Sequence, residues 1–235
     1  MAQDQNTEIE EGVVVEGSAG KLETLFEENQ KVVLGILGGL ILIIAILVGY
    51  KRFIVAPKEA RASEVVFHAQ NWFAADSFQL ALEGNGIEYG FYEIMDDYKG
   101  TKVAKAAKFY AGTCELNLGN YDEAVAYLSK FKTSDKNIQA LAYSRLGDAY
   151  AQLEDLEAAA REYKKAGNTS TLDDQTANYF YKAGMAYETL DNKAEAANMY
   201  KKVVEIYPNV NDFELSAAAK RIAKAGHLNY ARVSN

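Results

Sequence analysis

The sequence predicts an all-α protein: one membrane-spanning helix, then a solenoid of paired helices closed by a capping helix. Three observations carry that prediction. An uncharged apolar run extends from Val32 to Tyr50, between Lys31 and the pair Lys51-Arg52. Only two prolines occur beyond it, Pro57 and Pro208, and they bracket a long stretch rich in Ala, Tyr, Leu, Lys and Glu, which is helical composition. Within that stretch Gly-x-x-Tyr, or a relative of it, recurs with a small residue about a dozen positions later, the mark of an internal repeat.

Residues 1–20 are polar and acidic, with Gly12, Gly17 and Gly20 and only a short Val13-Val14-Val15 run, so they are expected to be disordered. Over 21–31, Leu22, Leu25 and Phe26 fall at helical spacing and predict an amphipathic helix that approaches the membrane along its surface. The run at 32–50 is 19 residues long. At about 1.5 Å per residue such a helix crosses a hydrocarbon core of about 30 Å. A cleaved signal peptide has a short basic start, an apolar stretch of about 7–15 residues and a small-residue cleavage site close behind it. Here the start is long and acidic, and the nearest small-x-small pattern, Ala60-Arg61-Ala62, lies beyond Lys51, Arg52 and Lys58. A buried core helix rarely lacks any polar residue over this length. The run therefore reads as a retained anchor. Gly35, Gly38, Gly39, Leu42, Ala45, Ile46 and Gly49 share one of its faces. Gly35-x-x-x-Gly39 and Ala45-x-x-x-Gly49 are small-x-x-x-small pairs, which let membrane helices approach closely, so this face is a candidate docking surface.

Beyond the anchor, 57–100 reads as a degenerate helical repeat: helices at Glu59–Leu82 and Ile87–Tyr98, split by Glu83-Gly84-Asn85-Gly86, with Trp72, Phe73 and Phe78 supplying core. Three clearer repeats occupy 101–210. The central copy has Leu146, Gly147 and Tyr150, then Ala159, Tyr163 and Ala166; the next has Phe180, Gly184 and Tyr187, then Ala196, Tyr200, Val203 and Pro208. The first has Gly112, then Gly119 to Ala124, Leu128 and Phe131. Gly112, Gly147 and Gly184 are 35 and 37 residues apart, close to the roughly 34-residue period of tetratricopeptide repeats. Each unit is expected to be two antiparallel helices in close contact. A small residue on each lets the backbones approach, and Leu146, Tyr150 and Tyr163 fill the surrounding space. Residues 211–235 contain a capping helix, with Leu215, Ala218, Ala219, Ile222 and Ala223 on one side.

Charge and chemistry narrow the function. Residues 1–50 hold 2 basic and 8 acidic side chains, leaving 23 basic and 25 acidic for the remainder. A nearly neutral domain lacks the basic face that nucleic acid requires. The single cysteine, Cys114, lies in an apolar helical pattern without basic neighbours and reads as a buried structural thiol. His68 and His227 are far apart, and neither has a Cys, His or carboxylate at metal-ligand spacing. Asp96-Asp97 and Asp173-Asp174 sit at a helix end and a helix start, where the second pair suits the helix dipole. With no phosphate loop or nucleophile elbow either, no catalytic residues, metal or cofactor are expected.

The acidic tail, the phrase Leu25-Phe26-Glu27-Glu28-Asn29-Gln30-Lys31 directly before a single span, and a repeat domain of this size together resemble the YfgM-like ancillary SecYEG translocon subunit family. That resemblance implies a non-enzymatic protein of the bacterial inner membrane, with a cytoplasmic tail and a periplasmic repeat domain. It also implies work beside the SecYEG translocon with PpiD, a membrane-anchored prolyl isomerase, holding or handing over newly exported chains. Alternatives are a scaffold for another envelope assembly, such as outer-membrane biogenesis or division, and a self-assembling structural protein. Lys51, Arg52, Lys58 and Arg61 follow the span while Lys21 and Lys31 precede it, so a positive-inside count alone favours cytoplasmic repeats. In a solenoid of this type the first helix of each pair lines the concave groove, whose expected positions are Phe109 and Thr113, Ser144 and Asp148, and Tyr181, Met185 and Glu188. The mixture suits extended chains rather than a clamp on a terminal carboxylate, for which these positions lack the lysines, arginines and asparagines. Phe109, Tyr181 and Met185 have an equal claim as packing residues between repeats.

Overall fold

The computed structural model describes residues 30–206, and within them the chain forms ten α-helices and no strand. The expected disordered tail at 1–20, most of the 21–31 approach helix, Pro208 and the capping helix lie outside the described residues. Two compact units divide at Ala56 and Pro57.

In the first unit, α1 (Gln30–Tyr50) runs without a single buried side chain, and a π-helical turn, Lys51–Val55, follows. Ile36 and Ile41 are each 66% exposed, which in water would be a costly display of apolar surface. The helix is long and apolar enough to cross a membrane.

The second unit is a series of helical hairpins. Its helices are α2 (Ala56–Ala74), α3 (Phe78–Glu83), α4 (Phe91–Asp97), α5 (Lys102–Leu118), α6 (Tyr121–Leu128), α7 (Lys136–Gln152), α8 (Leu156–Thr169), α9 (Asp173–Thr189) and α10 (Lys193–Ile206). One backbone device recurs at the hairpin turns. Asp76, Gly119, Glu154 and Asp191 adopt left-handed backbone, with φ of 54°, 85°, 61° and 54°, and the next helix starts two residues later each time. Such a residue ends a helix and satisfies its last carbonyls; Gly119, for instance, donates its N–H to Glu115 and Leu116.

This device corrects the reading of the first repeat. The expected helix Glu59–Leu82 breaks at Ala74, because Asp76 turns the chain with the Ser77 N–H on the Trp72 carbonyl (2.8 Å). The break expected at Gly84 instead interrupts the second half of the hairpin between α3 and α4. There Asn85 Oδ1 accepts the N–H groups of Ile87 (2.9 Å) and Glu88 (2.7 Å). Gly84 is required at φ 74°, since a Cβ would lie 2.3 Å from the Glu88 carbonyl oxygen.

Starts are marked by side-chain caps: Thr101 Oγ1 accepts from Ala104 N (3.0 Å), and Asp135 Oδ1 from Asn137 and Ile138 (2.9 and 3.0 Å). Glu59 of α2 also takes the Lys102 and Val103 N–H groups, tying α2 to the start of α5. Four core clusters lie among the described residues. Phe91, Leu82 and Ile94 centre one, Leu128 and Leu146 the next, Ala140, Ala166 and Tyr179 a small third, and Tyr200, Met199 and Phe180 the last.

Cys114 and Glu115 of α5 are both buried. Glu115 accepts the Tyr92 hydroxyl and the Asn120 amide (2.8 Å), so its charge is held by donors. Burial, with the Glu115 carboxylate acting in the same direction, pushes the Cys114 thiol up to about 12 from its ordinary 9.0. Because the folded value lies above the unfolded one, the stability gained by keeping this thiol protonated is complete below about pH 9. It is lost as pH rises towards about 12. We expect no reaction of Cys114 with an aromatic disulfide reagent at pH 7.5 in the native chain and full reaction in urea; comparable native labelling would contradict its burial.

Candidate functional site

Hairpin geometry determines what is left exposed. In the three clearer repeats a glycine of the first helix faces a large side chain of the second, sixteen positions on: Gly112 with Leu128, Gly147 with Tyr163, Gly184 with Tyr200. A Cβ would lie 2.6 Å from Leu128 Cγ, 2.7 Å from Tyr163 Cδ1 and Cε1, and 2.4 Å from Tyr200 Cε1. These contacts require glycine for space rather than for backbone freedom. Ala124, Ala159 and Ala196 are buried on α6, α8 and α10, and Tyr150 and Tyr187 pack half-buried against the cores.

The tyrosine rings carry hydroxyls that must also be satisfied. Tyr163 Oη donates to Asp148 Oδ1 (2.8 Å), and Tyr200 Oη to Glu188 Oε2 (2.9 Å). Asp148 takes Lys182 Nζ as well (2.8 Å), with Arg145 Nη1 at 3.5 Å from its other oxygen, so one carboxylate joins α7, α8 and α9. Burial and the Asp148 charge together push the Tyr163 phenol well above its usual range, so it remains a donor at neutral pH.

Beside this junction a cavity of about 420 Å³ lies against α9. Asn178, Tyr181, Lys182 and Met185, spaced for one helical face, form one wall, with Leu156 and Tyr163 of α8 opposite. Met185 is 41% exposed at its mouth. The Lys182 ammonium sits 5.4 Å above the Tyr163 ring, so both its charge and its stem are occupied within the wall. Among the described residues the Asn178 side chain makes no hydrogen bond, so its amide offers a donor and an acceptor.

Of the seven groove positions named from sequence, the structure brings Tyr181 and Met185 to this cavity. Thr113 and Ser144 are buried, and Thr113 returns its hydroxyl to the Phe109 carbonyl (2.8 Å). Phe109 packs on Tyr110 and Phe131. Asp148 and Glu188 serve the tyrosines of the second helices. Asn178 and Lys182 lie outside the seven positions expected from sequence, although the i, i+3, i+4, i+7 spacing of 178, 181, 182 and 185 carries the signal.

On α1, the stripe Gly35, Gly38, Gly39, Leu42, Ala45, Ile46 and Gly49 is open along its glycines: a Cβ at any of the four meets nothing within 4 Å. His68 lies 3.5 Å from Glu88 and next to Phe67 and Trp72, and His227 falls outside the described residues. No group of His, Cys, Asp and Glu among the described residues is placed to hold a metal ion.

Paired helices with a side-chain cavity on the first helix of a pair define a class of repeat protein whose work is to bind other proteins. One tetratricopeptide-repeat family model matches residues 106–137 and 179–209, and a second tetratricopeptide-repeat model matches 140–166. The chain thus carries tetratricopeptide repeats, modules of protein–protein interaction that are generally scaffolds rather than enzymes. No curated protein matches it.

Proposed function

We propose that this chain is a membrane-anchored adaptor of the Sec translocon. In this reading α1 holds it in the bacterial inner membrane with the repeats in the periplasm, where they bind newly exported, unfolded chains or a PpiD-like prolyl isomerase. The cavity on α9 is the observation that carries the binding role. An extended polypeptide presents a side chain at every second position and a free N–H and C=O between them. Tyr181, Met185 and Leu156 offer an apolar socket for the first, and the uncommitted Asn178 amide suits the second. The open Gly35–Gly49 stripe suits lateral docking to translocon helices.

A photo-crosslinking residue placed at position 185 of the full chain in native membranes tests the reading. Adducts with translocon subunits, the isomerase or a nascent exported chain are expected, and Tyr181→Ala should reduce them severalfold. Adducts confined to an outer-membrane or division assembly would replace the Sec assignment with a scaffold role. Impermeant protease on spheroplasts supplies the compartment: digestion of the repeat domain without lysis is expected. Protection until lysis, as the Lys51, Arg52, Lys58 and Arg61 count favours, would overturn the export role.

A further inference from the structure

A second cavity, of about 560 Å³, opens between α4, α5 and α6 and shares no residue with the one on α9. Four lysines converge on it: Lys99 in the turn before α5, Lys105 and Lys108 on α5, and Lys130 just past α6. None of the four meets a carboxylate at ion-pair distance among the described residues, whereas Lys164, Lys165, Lys182, Lys193 and Lys201 each do. One carboxylate, Asp96, also reaches the cavity, so among the described residues lysines outnumber carboxylates four to one in its lining. Like charges lining one cavity repel, so an anion that enters it is favoured.

The bed of the cavity is aromatic. Tyr92 and Tyr127 line it with ring centroids 5.8 Å apart. The Tyr92 hydroxyl is committed to Glu115, whose other oxygen holds Asn120; these neutral donors solvate the buried carboxylate, whose negative charge stays behind the aromatic bed. Among the described residues no arginine lines the cavity. A planar carboxylate is best matched by the guanidinium fork, whereas ammonium point charges arriving from several directions match the several oxygens of a phosphate. The volume lies in the usual small-molecule range of about 300–1,000 Å³.

We propose that this cavity binds a phosphate-bearing anion of small-molecule size, its phosphate among Lys99, Lys105, Lys108 and Lys130 and its organic part against Tyr92 and Tyr127. A soluble phosphate ester and a phospholipid headgroup share that chemistry, and an anchored chain meets both.

The test uses the full chain in phosphatidylcholine nanodiscs, with lysine acetylation rates read residue by residue by mass spectrometry. Inorganic pyrophosphate is the soluble probe, and nanodiscs containing phosphatidylglycerol are the lipid probe. Slower acetylation at these four lysines, with Lys136 and Lys193 unchanged, is expected with one or both probes, and which probe acts identifies the source. The double variant Lys105→Gln/Lys108→Gln, at one exposed and one half-buried position without ion-pair partners among the described residues, should keep the native circular dichroism and melting temperature while weakening the effective probe about tenfold or more. The proposal is overturned if neither probe slows the four lysines beyond Lys136 and Lys193, or if the double variant binds as the native chain does.

Discussion

Alanine at Tyr200 is expected to lower the stability of the repeat domain by about 3–5 kcal/mol, the range for deleting a buried aromatic side chain. The ring is 1% exposed, covers Gly184 at a distance that excludes a Cβ, and places its hydroxyl on Glu188. Removing it leaves a void that Gly184 has no side chain to fill, and backbones held by Ala183 and Ala196 relax only partly. Tyr200→Phe keeps the packing and loses the hydroxyl's bond to Glu188, so about 1 kcal/mol is expected. In a solenoid each hairpin leans on its neighbours alone. Hydrogen exchange should therefore show protection lost first over 173–206 and retained over 102–152. A denaturation shift below about 1 kcal/mol, or an even loss of protection along the chain, would contradict this account of the hairpin contact.

Asp148→Ala should cost about 2–3 kcal/mol, less than a fully buried pair because the Asp148 side chain is 20% exposed and that of Lys182 35%. It removes the acceptor of the Tyr163 hydroxyl and the partner of Lys182 and Arg145 at once. Arg145 Nε is already buried without a hydrogen-bond partner among the described residues, which leaves that guanidinium poorly placed to absorb the loss. Adding Lys182→Met should recover part of the stability, because the uncompensated cation goes with it; additive losses in a double-mutant cycle would show that the two do not act as a pair. Since Tyr163 and Lys182 both line the cavity on α9, crosslinking from position 185 should fall in Asp148→Ala. The double variant should not restore it, because the wall has then lost its charge.

Much of this was legible in the chain itself. The apolar run at 32–50 needs only length and the absence of charge, and the glycines 112, 147 and 184 mark the hairpins because a large side chain of the facing helix packs where a Cβ would lie. The groove was less legible. Thr113, Ser144 and Asp148 have the right register on their helices, yet Thr113 and Ser144 are buried and Asp148 is consumed by Tyr163 and Lys182. The break at Asp76 is not legible in the sequence, because left-handed backbone at an aspartate carries no pattern comparable to glycine.

By itself, then, the sequence determined an apolar helix of membrane-spanning length and a series of helical hairpins about 35 residues apart, since hydrophobic period, composition and small-residue spacing are local properties of a chain. Only the tertiary structure decided which surfaces remain available. Asn178 beside Tyr181 and Leu156, and Lys99 beside Lys108 and Lys130, meet through contacts between helices. Which side chains are spent on holding those helices together, and which are left to face a ligand, depends on long-range packing that no short window of sequence encodes.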